Sequence, residues 1–276
     1  MFPDLPPGTE LCGIVLHPAG HTRSPAMHTA AYRALGIDAR YAVFDVRPEG
    51  LPAFMEQVRR RGVRQLAVSL PHKEAMAALV DEVAETARRI GAVNTVTRRG
   101  DRLAADNTDW LGAVRALEEQ GGAQLEGARA VVLGAGGTAR AVTFGLLRRG
   151  ARVTVLNRTV SRAEALVADL HAMAAGPLEA LADLDVEVLV NTTSVGLGHD
   201  VSPVSAEALP RDALVMDVVY EPERTRLLRD AEARGARTLS GKWMLVYQGA
   251  EQLRLWADRE APIEVMAEAF DAAGAQ

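Results

Sequence analysis

Two residues stand out because the chain uses their type so rarely. The 276-residue sequence contains 31 basic residues, and only Lys73 and Lys242 are lysines. A solvent-exposed ion pair tolerates lysine or arginine, whereas a group that transfers protons must be able to lose its proton, which arginine in a protein cannot do. Both lysines are therefore candidates for proton transfer. For Lys242 the alternative is a plain loop residue before the last helices.

Lys73 follows a β-rich run and Pro71, a pattern that predicts a helix beginning near Pro71 with Lys73 in its first turn. The partial positive charge at a helix N-terminus favours the neutral amine, which suits general acid/base work. Asp109 begins another predicted helix and is the candidate partner for moving the proton of an alcohol. The alternatives are an exposed lysine and an aspartate that only caps its helix. The role of His72 stays open.

A glycine-rich turn is the second chemical signal. It follows a β-rich run and opens a helical pattern, which is the context of a dinucleotide-binding turn. Glycine lets backbone N–H groups approach a pyrophosphate, whose charge the helix N-terminus favours. The alternative is a turn of the same shape with no ligand. The predicted cofactor contacts in this turn are Gly134, Gly136, Gly137, Thr138 and Ala139.

The end of the next predicted strand indicates which dinucleotide binds. An enzyme that uses NAD normally has an acidic residue there for the ribose 2′-hydroxyl. This chain has Asn157, Arg158 and Thr159 instead, with Arg162 one helical turn later. A guanidinium binds a 2′-phosphate well, so we predict NADP as the cofactor. The alternative is that Arg158 lies in water at the strand end and binds no ligand.

Two runs of alternating β-rich and helical patterns must position these residues. The first extends from Leu11 to about Leu70 and predicts a mostly parallel sheet, and the second extends from Arg129 to about Thr238. The last helical patterns, interrupted by Pro262, are expected to pack back on the first domain. The predicted fold class is therefore α/β with two domains.

Composition argues against several classes of partner. The formal net charge is −5 with both signs interspersed, which disfavours nucleic acid and anionic membranes. A single cysteine, Cys12, and an N-terminus without a signal pattern favour a cytoplasmic protein. No segment has the apolar length of a membrane span. Three histidines, His17, His21 and His28, lack the spacing of metal ligands, so no metal is expected.

The segments, taken in order, resemble the shikimate dehydrogenase family over essentially the whole chain. Residues 22–25 are similar to the family's Ser-x-Ser-Pro element, with Thr22 in the first position. Residues 67–73 are similar to its Asn-Val-Thr-x-Pro-x-Lys element, and residues 91–95 match its Gly-Ala-Val-Asn-Thr element. The Asn-Thr-Asp element appears at residues 107–109 and the Gly-x-x-Met-Leu-x-x-Gln element at residues 241–248.

The resemblance implies a role for each matching residue. It makes Lys73 and Asp109 the catalytic pair. The implied substrate contacts are Thr22, Ser24, Ser69, Asn94, Tyr220 and Gln248. Beyond the glycine-rich turn, the implied cofactor contacts are Asn157, Arg158, Thr159, Arg162, Thr192 and Met244.

The fold that the resemblance implies has an N-terminal substrate-binding domain, residues 1–106 plus 241–276, and a Rossmann-type NADP-binding domain, residues 107–240. The implied activity is the reversible NADP-dependent interconversion of 3-dehydroshikimate and shikimate in aromatic amino acid and chorismate biosynthesis. The partner is thus a small carboxylated cyclic polyol, and a homodimer is compatible with the sequence.

Three residues depart from the family pattern on the substrate side. Ala67 replaces the usual Asn, Ser69 replaces Thr, and Trp110 stands where glycine is common. This version is similar to a side group termed shikimate dehydrogenase-like. Two alternatives therefore stay open: an oxidoreductase acting on quinate or another hydroxy acid, and a regulatory protein that binds NADP without turnover.

Overall fold

The computed structural model describes residues 2–20 and 22–274. The chain divides into two compact units. The N-terminal unit comprises the described residues up to Thr108 and from Val246 onward, and the middle unit is Asp109–Leu245. Each unit contains a six-stranded sheet within this part of the chain. The predicted α/β fold class is confirmed.

The elements are numbered in chain order. The strands are β1 (Glu10–Leu16), β2 (Ala39–Asp45), β3 (Gln65–Val68), β4 (Glu82–Val83), β5 (Thr95–Arg99), β6 (Arg102–Asp106), β7 (Arg129–Leu133), β8 (Arg152–Leu156), β9 (Ala174–Gly176), β10 (Val188–Asn191), β11 (Leu214–Asp217) and β12 (Arg237–Leu239). The α-helices are α1 (Ser24–Leu35), α2 (Leu51–Arg60), α3 (Glu85–Ile90), α4 (Asp109–Arg115), α5 (Gly137–Arg148), α6 (Val160–Leu170), α7 (Arg226–Ala233), α8 (Lys242–Ala257) and α9 (Ile263–Gly274). Short 3₁₀ helices occupy Pro48–Gly50, Ala75–Leu79, Leu178–Asp183 and Ala206–Ala208, and a π-helical turn, Ala116–Gln120, follows α4.

The sheet of the N-terminal unit is mixed. Its order is β2-β1-β3-β5-β6-β4, in which β1 is parallel to β2 and β3, and β5 is antiparallel to β3 and β6. The start of β5 therefore lies at the same edge as the carboxyl ends of β1 and β3. The sequence predicted the parallel βαβαβ start, but it did not predict that β6 returns as a hairpin partner of β5. The turn at Gly100, with a φ of 61°, makes this hairpin.

The two faces of this sheet differ in polarity. One face packs a purely apolar core against α2 through side chains such as Leu11, Val15, Leu66 and Val96. The other face lies beneath α1, where the ring of His28 stacks on Tyr41 of β2 with 4.5 Å between centroids. Alternating side chains of a strand point to opposite faces, which is why one sheet can carry two such different surfaces.

The C-terminal helix α9 packs against α1, as the sequence predicted for the last helices. Phe270 of α9 is fully buried, and the guanidinium of Arg23 lies 4.3 Å from its ring centroid. Arg23 also donates to the Phe270 carbonyl oxygen at 3.4 Å. This contact joins the end of the chain to the residue that precedes α1.

The sheet of the middle unit is wholly parallel. Its order is β12-β11-β10-β7-β8-β9. Counting its strands in sequence order gives 6-5-4-1-2-3, the order of a Rossmann-type sheet. The strand order reverses between β7 and β10, and ligands of such sheets bind outside the carboxyl ends of the strands at this point.

Replacing Phe270 with Ala should destabilise the protein by about 3–5 kcal/mol, because it leaves a cavity between α9 and α1. Urea unfolding followed by circular dichroism measures the change. Glu268→Ala, at an exposed position of the same helix, serves as the control. A loss below about 1 kcal/mol for Phe270→Ala would show that α9 contributes little to the N-terminal unit.

Candidate functional site

The glycine-rich turn of the middle unit lies directly after β7, at the point where the strand order reverses. Gly134 has a φ of 110°, and a Cβ there would lie 2.7 Å from Oγ1 of Thr192. Thr192 follows β10, and its hydroxyl donates to the Leu133 carbonyl oxygen at 2.6 Å. The turn is thus pressed against the loop after β10, and only glycine fits both the backbone conformation and the space.

Helix α5 begins at Gly137, with Gly136 as its N-cap and no side chain capping the helix. Its first N–H groups therefore need acceptors from outside the helix, and a phosphate group supplies them. Among the described residues, no atom lies within 4 Å of the position of a Cβ on Gly136. The residues present thus fit a dinucleotide pyrophosphate: a tight turn, open space in front of it and an uncapped helix N-terminus.

The loop after β8 carries the arginines that the sequence predicted as an NADP site. Nδ2 of Asn157 donates to the Thr159 carbonyl oxygen at 2.8 Å, which shapes the loop before α6. Arg158 and Arg162 are exposed. Within residues 2–20 and 22–274 neither forms an ion pair with a carboxylate. Their charge is therefore available to an anionic ligand, and no acidic side chain stands at the end of β8 to repel a 2′-phosphate.

A buried polar network lies beneath these loops and was not predicted. Asn191, Asp217 and Thr225 are each fully buried. Nδ2 of Asn191 donates to Asp217 Oδ1 at 2.9 Å, and the Thr225 hydroxyl donates to Asp217 Oδ2 at 2.7 Å. The oxygen of the Asn191 amide accepts the N–H and the hydroxyl of Thr193 at 3.0 and 2.7 Å. The network thereby fixes the loop that contains Thr192.

Burial raises the pKa of Asp217 to about 6, because the charged carboxylate is taken out of water. Its hydrogen bonds from Thr225, Val219 and Asn191 oppose this rise. Thr225 also caps α7 by accepting the Leu228 N–H at 3.4 Å. The side chain of Asp217 thus joins β10, β11 and α7.

In the N-terminal unit, the hydroxyls of the first predicted substrate element lie at the start of α1. Ser24 is the first residue of the helix and is buried, and its N–H donates to Oγ1 of Thr22 at 3.4 Å. A helix N-terminus favours a carboxylate. The structure therefore brings together two hydroxyls and a helix N-terminus at one place.

Lys73 does not lie in a helix that begins near Pro71, so that prediction is wrong. Turns lie at residues 70–71 and 73–74, and the helix that follows is the short 3₁₀ helix Ala75–Leu79. The Lys73 carbonyl oxygen accepts the Val93 N–H at 2.7 Å, a long-range bond that replaces a helical one. The argument from the charge of a helix N-terminus therefore does not apply to Lys73.

His72 stabilises this loop. It is buried, and its Nε2 donates to the Val46 carbonyl oxygen at 2.8 Å. Burial lowers its pKa, so the neutral ring is favoured. The backbone of the loop is held as well, since the Ser69 N–H donates to the Val15 carbonyl oxygen at 2.9 Å. Ser69 and Lys73 are thus positioned by bonds to β1 and to the segment before β5.

Asn94 is the centre of the predicted substrate residues in this unit. Its Oδ1 accepts the Thr108 N–H at 2.7 Å and the Thr95 hydroxyl at 2.8 Å. Its Nδ2 donates to Thr108 Oγ1 at 2.9 Å and to Gln248 Oε1 at 3.2 Å. The structure therefore brings together Asn94, Gln248 and Thr108, although the sequence indicated no such role for Thr108.

The remaining predicted residues lie in the middle unit. Asp109 is the first residue of α4 and is buried, Tyr220 follows β11 and is half-buried, and Met244 is buried in the first turn of α8. Trp110 packs its ring edge-on against Phe144 of α5 with 5.6 Å between centroids. Trp110, which stands where glycine is common in the family, thus contributes to packing between α4 and α5.

Two further classes of site receive no support from the described part of the chain. In residues 2–20 and 22–274, no three His, Cys, Asp or Glu side chains are grouped so that they could hold a metal ion. His21, one of the three histidines noted in the sequence, lies outside the described residues. Among the described helices, none combines the length and apolarity needed to cross a bilayer.

A parallel sheet in Rossmann order, with a glycine turn at the reversal of strand order, defines a dinucleotide-binding protein of the α/β class. Three family models match this chain. They describe the shikimate dehydrogenase substrate binding domain at residues 14–96, shikimate / quinate 5-dehydrogenase at residues 116–197 and the shikimate 5′-dehydrogenase C-terminal domain at residues 241–269. The chain belongs to the shikimate dehydrogenase family.

The named relatives are similar to this chain along nearly the whole of its length. The shikimate dehydrogenase (NADP(+)) of Thermococcus kodakarensis is 47% identical over 250 residues, which cover 90% of this chain and 91% of that protein. The corresponding protein of Haloarcula marismortui is 45% identical, covering 93% and 97%. The shikimate 5-dehydrogenase of Thermus thermophilus, solved in complex with NADP(H) and shikimate, is 41% identical with a TM-score of 0.90, covering 96% and 100%.

The buried carboxyl group of Asp217 makes a pH-dependent contribution to stability. Its pKa is raised in the folded protein, so the fold favours the protonated form and loses stability as the pH rises towards and through about 6. From pH 5 to pH 8, the free energy of unfolding should fall by about 1–2 kcal/mol more in the wild type than in Asp217→Asn.

Urea unfolding at four pH values between 5 and 8 measures this difference. Asp212→Asn, at an exposed position of the same unit, removes a carboxylate without touching the network and should leave the pH slope unchanged. Parallel pH profiles for wild type and Asp217→Asn would contradict the raised pKa.

Proposed function

We propose that this chain catalyses the reversible NADP-dependent interconversion of shikimate and 3-dehydroshikimate. The observation that carries the proposal is the presence, in one chain, of a fitting dinucleotide turn with Arg158 and of an N-terminal unit that matches the family's substrate binding domain. The named relatives with 45% and 47% identity are NADP(+)-dependent shikimate dehydrogenases. The reaction belongs to aromatic amino acid and chorismate biosynthesis.

In this proposal each of the two domains binds a different ligand. Residues 1–106 plus 241–276 bind the substrate, and residues 107–240 bind NADP. The division into compact units at Thr108/Asp109 and Leu245/Val246 supports these limits to within a few residues. The family model for substrate binding covers residues 14–96, inside the first of these domains.

The cofactor contacts follow from the middle unit. Gly134, Gly136, Gly137, Thr138 and Ala139 hold the pyrophosphate at the N-terminus of α5, and Arg158 with Arg162 binds the 2′-phosphate beside Asn157 and Thr159. Thr192 and Met244 are the remaining proposed cofactor contacts. Bound NADP supplies one chemical function, the acceptance of a hydride from the substrate carbon.

The substrate contacts follow from the N-terminal unit. Thr22 and Ser24 bind the carboxylate at the N-terminus of α1, where the helix dipole supports a negative charge. Ser69, Asn94 and Gln248 bind ring hydroxyls. Tyr220 is a further proposed substrate contact. Because Asn94 and Gln248 are already hydrogen bonded to each other, their side chains are oriented before the substrate arrives.

Lys73 and Asp109 carry the proton in this mechanism. The Lys73 amine takes the proton from the substrate hydroxyl as hydride leaves the same carbon, and it returns the proton in the reverse direction. Asp109 is the proposed partner of Lys73 in this proton transfer. The loop bonds of His72 and of the Lys73 carbonyl fix the start of the lysine side chain.

We place the protein in the cytoplasm, in line with the single buried cysteine, Cys12. We also propose a homodimer, for which β2 offers an edge strand of seven residues, whereas the other edge strands β4, β9 and β12 have two or three. Light scattering should give twice the chain mass of 29.5 kDa, and a mass of one chain would contradict the dimer.

Lys73→Ala should lower kcat for shikimate oxidation by about 10²–10⁴-fold, because the proton acceptor is lost. The wild type should reduce NADP at 340 nm when shikimate is added. Lys242→Ala, which alters the other lysine of the chain, is the control and should keep kcat within about threefold of wild type. A Lys73→Ala variant that retains most of the wild-type kcat would contradict this mechanism.

Arg158→Asp should raise KM for NADP by about 10²-fold and leave kcat at saturating NADP nearly unchanged, because the guanidinium only binds the 2′-phosphate. Arg211→Asp makes the same charge change at another exposed position of the middle unit and should have little effect. If Arg158→Asp kept its preference for NADP over NAD, the assignment of the 2′-phosphate site would be wrong.

A further inference from the structure

A row of buried polar side chains crosses one face of the N-terminal sheet. The strand register places Tyr41, Cys12, Gln65 and Thr97 side by side on β2, β1, β3 and β5. All four are buried. Buried polar groups destabilise a fold unless they are hydrogen bonded, so this face needs polar partners from the helices that cover it.

Gln252 of α8 bonds the proposed substrate contact Asn94 and its neighbour Thr95, not the row itself. Its Nε2 donates to the Asn94 carbonyl oxygen at 3.2 Å and to Thr95 Oγ1 at 3.1 Å. Ala67 is the cross-strand partner of Thr95 and presents only a methyl group there. The side chain at position 67 therefore supplies no amide next to Thr95, and Gln252 does.

These bonds support one of the two orientations of the Asn94 amide. Asparagine can turn its amide over and exchange oxygen for nitrogen. With Gln252 donating to the Thr95 oxygen, the Thr95 hydroxyl is directed at Asn94 Oδ1, 2.8 Å away. That oxygen also accepts the Thr108 N–H, so Nδ2 must face Gln248 Oε1. Gln252 thus helps to fix the donor side of Asn94 towards the other proposed substrate contact.

His28 of α1 lies beside Gln252. The ring is fully buried, and its Nε2 would lie 3.3 Å from a Cβ on Gly249, the residue after Gln248. Burial lowers the pKa of His28 to about 4, so the ring is neutral at pH 7 and has one N–H to donate. Within the described residues, Oε1 of Gln252 is buried without a direct hydrogen bond, and the neighbouring His28 ring can supply one, directly or through an internal water.

We propose that Gln252 and His28 are positioning residues for substrate recognition. His28 orients the amide of Gln252, and Gln252 orients Thr95 and Asn94. The amide of Asn94 is thereby held in the orientation in which it meets a ring hydroxyl of the substrate. Both residues act through Asn94. The inference rests on the proposed function, because it takes Asn94 as a substrate contact.

Gln252→Leu removes the amide and keeps a similar volume. It should raise KM for shikimate about tenfold, with kcat and KM for NADP within about twofold of wild type, because only the orientation of a substrate contact is lost. His28→Phe should raise KM for shikimate by about threefold. The double variant should show less than the product of the two effects, since both residues act on one chain of hydrogen bonds.

Gln65→Leu is the matched control. Gln65 is an equally buried glutamine on the same face, and it bonds neither Asn94 nor Thr95 within the described residues. It should leave KM for shikimate unchanged, whatever its effect on Tm. A merely structural role for Gln252 would instead give Gln252→Leu and Gln65→Leu the same kinetic profile.

The outcomes separate this inference from the proposed function. A wild-type protein that binds NADP but does not turn over shikimate overturns the function, and this inference with it. Wild-type turnover with an unchanged KM for shikimate in Gln252→Leu overturns this inference alone, as does an equal rise of KM in Gln65→Leu. A rise confined to Gln252→Leu and His28→Phe supports it.

Discussion

Buried polar groups need hydrogen-bond partners, and in the N-terminal unit the backbone and side-chain groups of Asn94 bond three segments of the chain: the end of β3, the end of β6 with the residues after it, and helix α8. The backbone N–H of Asn94 donates to the Asp106 carbonyl oxygen at 3.1 Å, and its carbonyl oxygen accepts the Val68 N–H at 2.7 Å. Its side chain bonds the segment after β6 and helix α8. Leaving any of these groups unpaired in the interior would cost about 1–3 kcal/mol, which is why the segments stay together.

The middle unit contains a comparable buried hydrogen-bond network made by a different set of residues. Asn191 and Asp217 end two adjacent parallel strands, and their side chains bond each other and the loops that follow. The glycine turn then packs against Thr192 of one of these loops. In both units, buried hydrogen bonds at the ends of strands fix the loops that contain the proposed ligand contacts. Such support keeps a site close to its working geometry.

The features that the sequence predicts well are local. Helix α1, Ser24–Leu35, has local start and stop signals in the sequence, because Pro25 lies in its first turn and Gly36, with a φ of 64°, ends it. The glycine turn was predicted from its position between a β-rich run and a helical pattern. The placement of Lys73 in a helix was wrong, because a bond from Val93 decides the course of that loop and no local pattern reveals it.

The features that could not be predicted depend on residues far apart in the chain. Gln252 lies more than 150 positions from Asn94 and Thr95, and a single glutamine on a helix gives no sign of its target. Asp217 is a buried acid whose partners come from β10 and from the start of α7. One weak signal was present: Gln248 and Gln252 are four positions apart, so they share a face of α8.

The most direct test of the account compares kcat/KM for shikimate and for quinate with purified wild-type protein and NADP, with the products identified by NMR. The account predicts that shikimate is the better substrate by at least about tenfold, and that one 3-dehydroshikimate forms for each NADPH. Equal or better use of quinate, or no product from shikimate although NADP binds, would contradict it.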